Sequence, residues 1–541
     1  MEKHINSEDK EYFYNGLYTL WRYLIEDEDK KIEFLLQEDV HENITKLIDS
    51  LSVNGRLKFL LREKDNDRFK ITNVLEFLSE DKGNVLERLN ELGLISEQER
   101  NAVIGSLDED DKIIEVMEKN ITNINIKCWI VRNLNEDKNK IRFLDNVIVQ
   151  DYLKYAIVQS FKDDINKINF LHELENEQDK LKIIYRLKED KDRIKALHEL
   201  NNEQDKLKII FSSLKEEKDK IKALHELENE QNIKYFGKKD NDKYTDLGLP
   251  IEMTAGTEIE VEEEELKMSR FLMKQEFLNW KFKMDGSLKN GVEAVSPIMH
   301  NTSKDVESIY TITNILKRMG LNASERCGGH VHIGADYLKN IDEIKELLEI
   351  WGSAEKNYFL ISNKPGELPR EGVQTYATPI SDKIEKSELK KDDETEFIED
   401  AKKVQDSRYS AINLMNVNNE KNTIEFRLSN GTNDPNIWIE NIRLYGKTVQ
   451  MAHEISQIKS KLKKGQELTD KEVRKLECKK LLKEDISLDE KMDALMELLF
   501  EENEREAYYE RYEANKKLEK ETEVLKDLKF GKSIKRIYKN K

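Results

Sequence analysis

Cysteine, proline and glycine are all scarce in this chain, and each shortage excludes something. The three cysteines, Cys128, Cys327 and Cys478, lie far apart among 541 residues, which excludes a disulfide scaffold and a Cys-rich zinc module. No run approaches the roughly 20 apolar residues of a membrane-spanning helix. The opening Met1-Glu2-Lys3-His4-Ile5-Asn6 lacks the apolar core of a signal peptide. Basic charge is in deficit too: 91 Lys+Arg stand against 110 Asp+Glu, a formal net charge of −19. Phosphate contacts need clustered Lys and Arg, so nucleic-acid binding by the whole chain is not expected. The basic end, from Lys526 to Lys541, reads as a solvated terminus. What remains is an acidic, cytoplasmic protein with no membrane and no nucleic-acid partner. At roughly 150 residues per domain it has room for three or four domains.

The 6 prolines divide the chain. Five fall between Pro250 and Pro379, and the sixth is Pro435. Residues before about 240 and after about 455 therefore read as helix, and the stretch between as mixed strand and helix. The expected fold is α+β: a helical-repeat region over 1–235, a central antiparallel sheet with flanking helices over 245–455, and a charged helical region over 456–541. Within the last, residues 501 to 529 are so rich in Glu and Lys that a long exposed helix or short coiled coil is expected.

The first region is repetitive. The run from His172 to Ile184 recurs almost unchanged from His198 to Ile210, and its beginning returns at His225. Each copy splits into two units built like Asp190-Lys191-Asp192-Arg193-Ile194-Lys195-Ala196-Leu197, and weaker copies begin at Glu28, Glu80, Asp110 and Glu136. The spacing predicts short helices with one apolar stripe each and an acid at the start, complementing the helix dipole. One such helix cannot bury its stripe alone, so the copies should stack as an α-solenoid that presents a surface to a protein partner. The recurring His172, His198 and His225 are expected to be structural rather than metal ligands.

Chemistry concentrates between about 245 and 455. Gly256-Thr257-Glu258-Ile259-Glu260-Val261 alternates as a strand does, so Glu258 and Glu260 share a face. Cys327-Gly328-Gly329-His330-Val331-His332-Ile333-Gly334 pairs two imidazoles in the same way, and Asn422-Thr423-Ile424-Glu425-Phe426-Arg427-Leu428 pairs Glu425 with Arg427. Gly291-Val292-Glu293-Ala294-Val295 adds Glu293, and Asp285-Gly286-Ser287 is a turn. Several acids with imidazole suit hard divalent cations such as Mg²⁺ or Mn²⁺. An arginine beside them suits an anionic substrate or a transferring phosphoryl group. No Walker-type loop occurs. Cys327 reads as a small buried residue rather than a nucleophile.

In this order the motifs resemble the amidoligase family, carboxylate–amine ligases built like the catalytic domain of glutamine synthetase. The carriers are Gly-x-Glu-Ile-Glu, Asp-Gly-Ser, Glu-x-Val-Ser-Pro, Cys-Gly-x-His-Val-His, Arg408…Asn413, Thr423-Ile424-Glu425-Phe426-Arg427 and Gly431-Thr432. The resemblance covers about 200 residues. It implies that ATP phosphorylates a carboxylate and an amine attacks the acylphosphate, with two Mg²⁺ or Mn²⁺ ions bridging the phosphates and the reacting carboxylate. It also implies roles: Glu258, Glu425 and His330 at one metal, Glu260 and Glu293 at the other, with Asp285 a candidate there. His332 would lie near the phosphates, Arg427 would hold the substrate carboxylate or its acylphosphate, and Arg408 would hold the ATP phosphates. The substrates implied are a carboxylate and an amine, from peptide, protein or amino acid. Residues 365 to 405, with Arg370, match nothing in the family pattern. Two other readings compete: a zinc-dependent His-x-His amide hydrolase, and a non-catalytic helical-repeat interaction protein.

Overall fold

The computed structural model describes residues 29–31, 110–231 and 243–531, apart from 266, 371, 387–392 and 406. The expected repeat at Glu80, most of the one at Glu28, and the basic end beyond Gly531 lie outside the described residues. The chain forms two compact units, Met1–Asn201 and Asn202–Lys541. That division falls inside the repeats.

In the first unit the described residues form short helices: α1 (Asp110–Asn120), α2 (Ile124–Arg132), α3 (Asp137–Asn146), α4 (Asp151–Gln159), α5 (Asp164–Asn169), α6 (Glu177–Arg186) and α7 (Asp190–Ala196). The acid at a helix start reaches further than the dipole argument foresees. Asp110 accepts from the backbone N–H groups of Asn135 and Glu136. Asp137 does so from Lys162 and Asp163, Asp151 from Glu175 and Asn176, and Asp164 from Lys188. Each therefore ties its own helix to the chain about two repeat units ahead, satisfying amide groups that a helix start leaves unpaired. This gives the repeat length a physical cause. Leu171, Leu174, Leu197 and Leu200 are buried beside each turn, whereas His172 and His198 are exposed.

The second unit opens with two more repeat helices, α8 (Glu203–Ser213) and α9 (Glu217–Gln231). Helix α8 packs on the sheet-bearing part: Phe211 meets Phe277 edge to face at 5.1 Å, and Gln204 donates to the Met319 carbonyl. One antiparallel sheet follows, made of β1 (Ala255–Glu262), β2 (Glu276–Phe277), β3 (Trp280–Lys283), β4 (Gly291–Val295), β5 (Gly328–Gly334), β6 (Ile412–Asn413) and β7 (Thr423–Asn430). Its strand order is β2-β3-β4-β1-β5-β7-β6. Three helices supply its apolar cover: α10 (Ser303–Arg318), α11 (Ile341–Ile361) and α12 (Pro435–Lys463). Phe426 of β7 stacks on Tyr445 of α12 at 4.4 Å and lies 5.3 Å from Trp351 of α11. Gly329 is required there, because a Cβ would collide with the Trp438 ring. With one face sealed by aromatics, polar residues in alternate positions are left on the other.

The C-terminal region is helical: α13 (Asp470–Leu482), α14 (Leu488–Leu499) and α15 (Glu506–Thr522). Helix α15 corrects the expectation of an exposed helix or coiled coil, for Tyr508, Arg511, Tyr512 and Asn515 are buried. Arg511 donates to the Ile361 carbonyl and to Asn441, and pairs with Glu440. Its burying face includes polar side chains that act as donors, so composition alone reads it as solvated. No helix among the described residues is long and apolar enough to cross a membrane.

Candidate functional site

Four adjacent strands aim their polar positions at one place. Strand β1 presents Glu258 and Glu260, β4 presents Glu293, β5 presents His330 and His332, and β7 presents Glu425 and Arg427. Register decides which groups meet. Glu260 lies opposite Glu293, Glu258 opposite His330, and His332 opposite Glu425. Like charges directly opposite each other destabilise an antiparallel pair, so the Glu260–Glu293 pairing is unfavourable when both carboxyls are ionised. The β5–β7 pairing carries an irregularity between Gly329 and Val331, at His330, of the kind that re-aims side chains beside active sites.

The side chains converge. His330 Nδ1 lies 2.8 Å from Glu258 Oε2 and 3.3 Å from Glu425 Oε1. His332 Nε2 lies 3.5 Å from Glu258 Oε1, and its Nδ1 is 3.3 Å from the Thr423 hydroxyl. Arg427 pairs with Glu425 and donates through Nε to the Tyr376 carbonyl at 3.1 Å. Asn413 donates to Glu425 at 2.6 Å and accepts from Gln405 at 2.6 Å, which orients that carboxylate from behind. A cavity of about 550 Å³ opens beside Glu258 and His332, with Thr257, Ser296, Ile298, Asn422 and Thr423 in its wall.

Electrostatics separates the acids. Burial pushes the Glu293 carboxyl up to about 8, and the neighbouring Glu258, Asp285 and Glu260 charges add to the rise. Burial acts upward on Glu258 as well, but hydrogen bonds from His330 and His332 outweigh it and hold this carboxyl well below the usual range. In Glu425 burial is likewise outweighed, by His330 and Arg427, and the net direction is downward.

Three overlapping groups place ligand atoms within 4.8 Å of one another: Glu258, Glu293 and His330; Glu258, His332 and Glu425; Glu260, Asp285 and Glu293. The Nε2 atom of His330 is buried without a hydrogen-bond partner. A donor set dominated by carboxylate oxygen, with imidazole in a minority, has the chemistry of an Mg²⁺ or Mn²⁺ site. The residues present fit such ions.

Arg408 stands apart. It is exposed, 4.9 Å from the Tyr409 ring, and donates to the Tyr409 hydroxyl. Cys327 is fully buried, and burial pushes its thiol up, away from a reactive thiolate. The residue that motif reading missed is Arg370. Its Nη1 lies 2.8 Å from Glu260 Oε2, 110 residues away in sequence. The only local signal was an arginine in the Pro- and Gly-rich stretch Pro365–Gly372.

No curated protein matches the chain. Residues 212–449, which hold every side chain of this cluster, match the family model described as "Putative amidoligase enzyme", the family whose motifs this segment resembles.

Proposed function

We propose that the protein is an ATP-dependent carboxylate–amine ligase working through an acylphosphate. The observation that carries this reading is the set of five carboxylates, Glu258, Glu260, Glu293 and Glu425 on one sheet face and Asp285 on the turn after β3, drawn together with His330 and His332. The family match suggests amide formation; the carboxylate set adds why a nucleotide and two divalent cations would be involved. In the reading, a substrate carboxylate oxygen takes the γ-phosphoryl group of ATP and ADP leaves. The amine nitrogen then attacks the acyl carbon, the C–O bond to phosphate breaks, and the amine proton passes to a base.

Divalent ions supply charge neutralisation, letting two anions approach. Glu258, His330, His332 and Glu425 would hold one ion, and Glu260, Glu293 and Asp285 the other. Arg427, whose Nε and Nη1 are engaged by the Tyr376 carbonyl and Glu425, would hold the substrate carboxylate or its acylphosphate through Nη2. Arg408, exposed beside Tyr409, would meet the ATP phosphates from the rim. The scaffold in this reading is a glutamine-synthetase-like domain, and the helical repeats form a stack that recruits a protein partner.

The test is purified protein with ATP, Mg²⁺ and pools of carboxylates and amines. Phosphate release that requires both partners and yields an amide is expected. Tight stoichiometric zinc with amide cleavage, and no ATP consumption, would instead indicate a hydrolase.

A further inference from the structure

Arg370 occupies a place that the family motifs leave unassigned. Both hydrogen bonds to Glu260 fall on one oxygen: the Gly328 amide and Arg370 Nη1 each donate to Oε2. The same Nη1 donates to the Arg326 carbonyl at 2.9 Å. Glu260 is 2% exposed, so this guanidinium is a close and poorly screened positive charge. Gly328 lacks a side chain for the same reason, since a Cβ there would collide with the guanidinium. Two acids of the cluster, on β7 and β1, are thus each held by an arginine, Arg427 on Glu425 and Arg370 on Glu260.

The segment bearing Arg370 is fixed from two sides. Its amide donates to Asn430 at the end of β7, and Asn430 in turn donates to Glu367 and to the Leu368 carbonyl. From the other side Asn515 of α15 accepts from the Glu367 amide and donates to the Leu360 carbonyl. Helix α15 lies beyond the matched segment 212–449, yet it anchors the loop that carries the arginine.

We propose that Arg370 is a positioning residue that stands against Glu260 as a resident cation, weakening divalent-ion binding at Glu260, Asp285 and Glu293 until an anionic substrate arrives. The inference rests on the metal-site reading above. Two consequences follow from charge and geometry. With Oε2 taken, Glu260 offers one oxygen, and a like charge beside the cluster repels an incoming cation. A bound polyanion restores the missing negative charge, so the second ion and the substrate arrive together.

Calorimetric titration with Mn²⁺, without nucleotide, tests this on the full chain. The unmutated protein should show a tighter and a weaker ion. Arg370→Gln should tighten the weaker one at least tenfold, whereas Arg370→Lys, which keeps the charge, should stay within about threefold. Arg370→Met retains the stem of the side chain and serves the same purpose if the glutamine variant does not fold. A purely structural role would loosen Mn²⁺ in every variant. Unchanged or weaker binding in Arg370→Gln, or equal tightening in Arg370→Lys, overturns the proposal alone. An unmutated protein that binds no Mn²⁺ overturns the metal-site reading and this inference with it.

Discussion

The helical repeats and the sheet's polar face are both crowded with acids, and they use them in opposite ways. In the repeats, Asp137 and Asp151 each accept backbone N–H groups from the chain about 25 residues ahead. Their charge is spent on holding turns. On the sheet, Glu260 faces Glu293 across a strand pair, and Glu293 is pushed up to about 8 by burial and by its neighbours. In a chain that is 37% charged, density of acid therefore says little about function. What distinguishes the site is acid set against neighbouring acid instead of spent on backbone amides, and strongly perturbed carboxyls of that kind cluster at functional sites.

The comparison breaks most visibly at Glu258, which belongs to two of the three ligand groups. Glu258→Gln keeps the shape and removes the charge, so Mn²⁺ affinity should fall at least about 30-fold, roughly 2 kcal/mol. Melting temperature should fall modestly, because the charge-assisted bonds from His330 and His332 to the carboxylate are weakened. Calorimetric titration beside a thermal melt checks both, and undiminished binding would make this an ordinary strand face.

Glu293 sharpens the contrast in stability. Its folded carboxyl is raised above the ordinary value of 4.5 to about 8. The protonated form therefore stabilises the metal-free fold below about pH 4.5, and that contribution is lost as pH rises toward 8. Glu293→Gln stays neutral throughout. The metal-free variant should match the unmutated protein near pH 4.5 and exceed it by roughly 1–3 kcal/mol at pH 8, while binding Mn²⁺ more weakly. Denaturant melts across that range measure the gap; a gap that does not widen with pH removes the repulsion argument.

On the repeat side the effect is smaller and purely structural. Asp137→Ala frees the Lys162 and Asp163 amides and the Asn166 side chain, at a cost of about 1–2 kcal/mol. Hydrogen exchange should quicken around residues 160–166, with Mn²⁺ titration unchanged. A loss of metal binding on this substitution would show that the two uses of acid are not separate.

Some of this was legible one residue at a time. Period-two alternation is a local property of an extended chain, so Glu258 with Glu260 and His330 with His332 could be paired by spacing. The repeat helices and their acidic starts were readable for the same reason. The face of α15 was not, because Arg511 and Asn515 look like surface residues until their buried acceptors, Ile361, Asn441 and Leu360, are known. Arg370 was invisible as a site residue: nothing near it in sequence hints at Glu260.

The sequence by itself determined the strands that carry the site and which of their side chains share a face, since both follow from the backbone period of 2 residues. It also carried the resemblance to the amidoligase family, through motifs of a few residues each. Only the tertiary structure decided that Glu260 opposes Glu293, that Arg370 crosses 110 residues to reach Glu260, that the repeats are divided at Asn201 and Asn202, and that α15 braces the loop behind the site. Those are matters of strand register and loop closure, which depend on contacts between segments remote in sequence and leave no periodic trace along the chain.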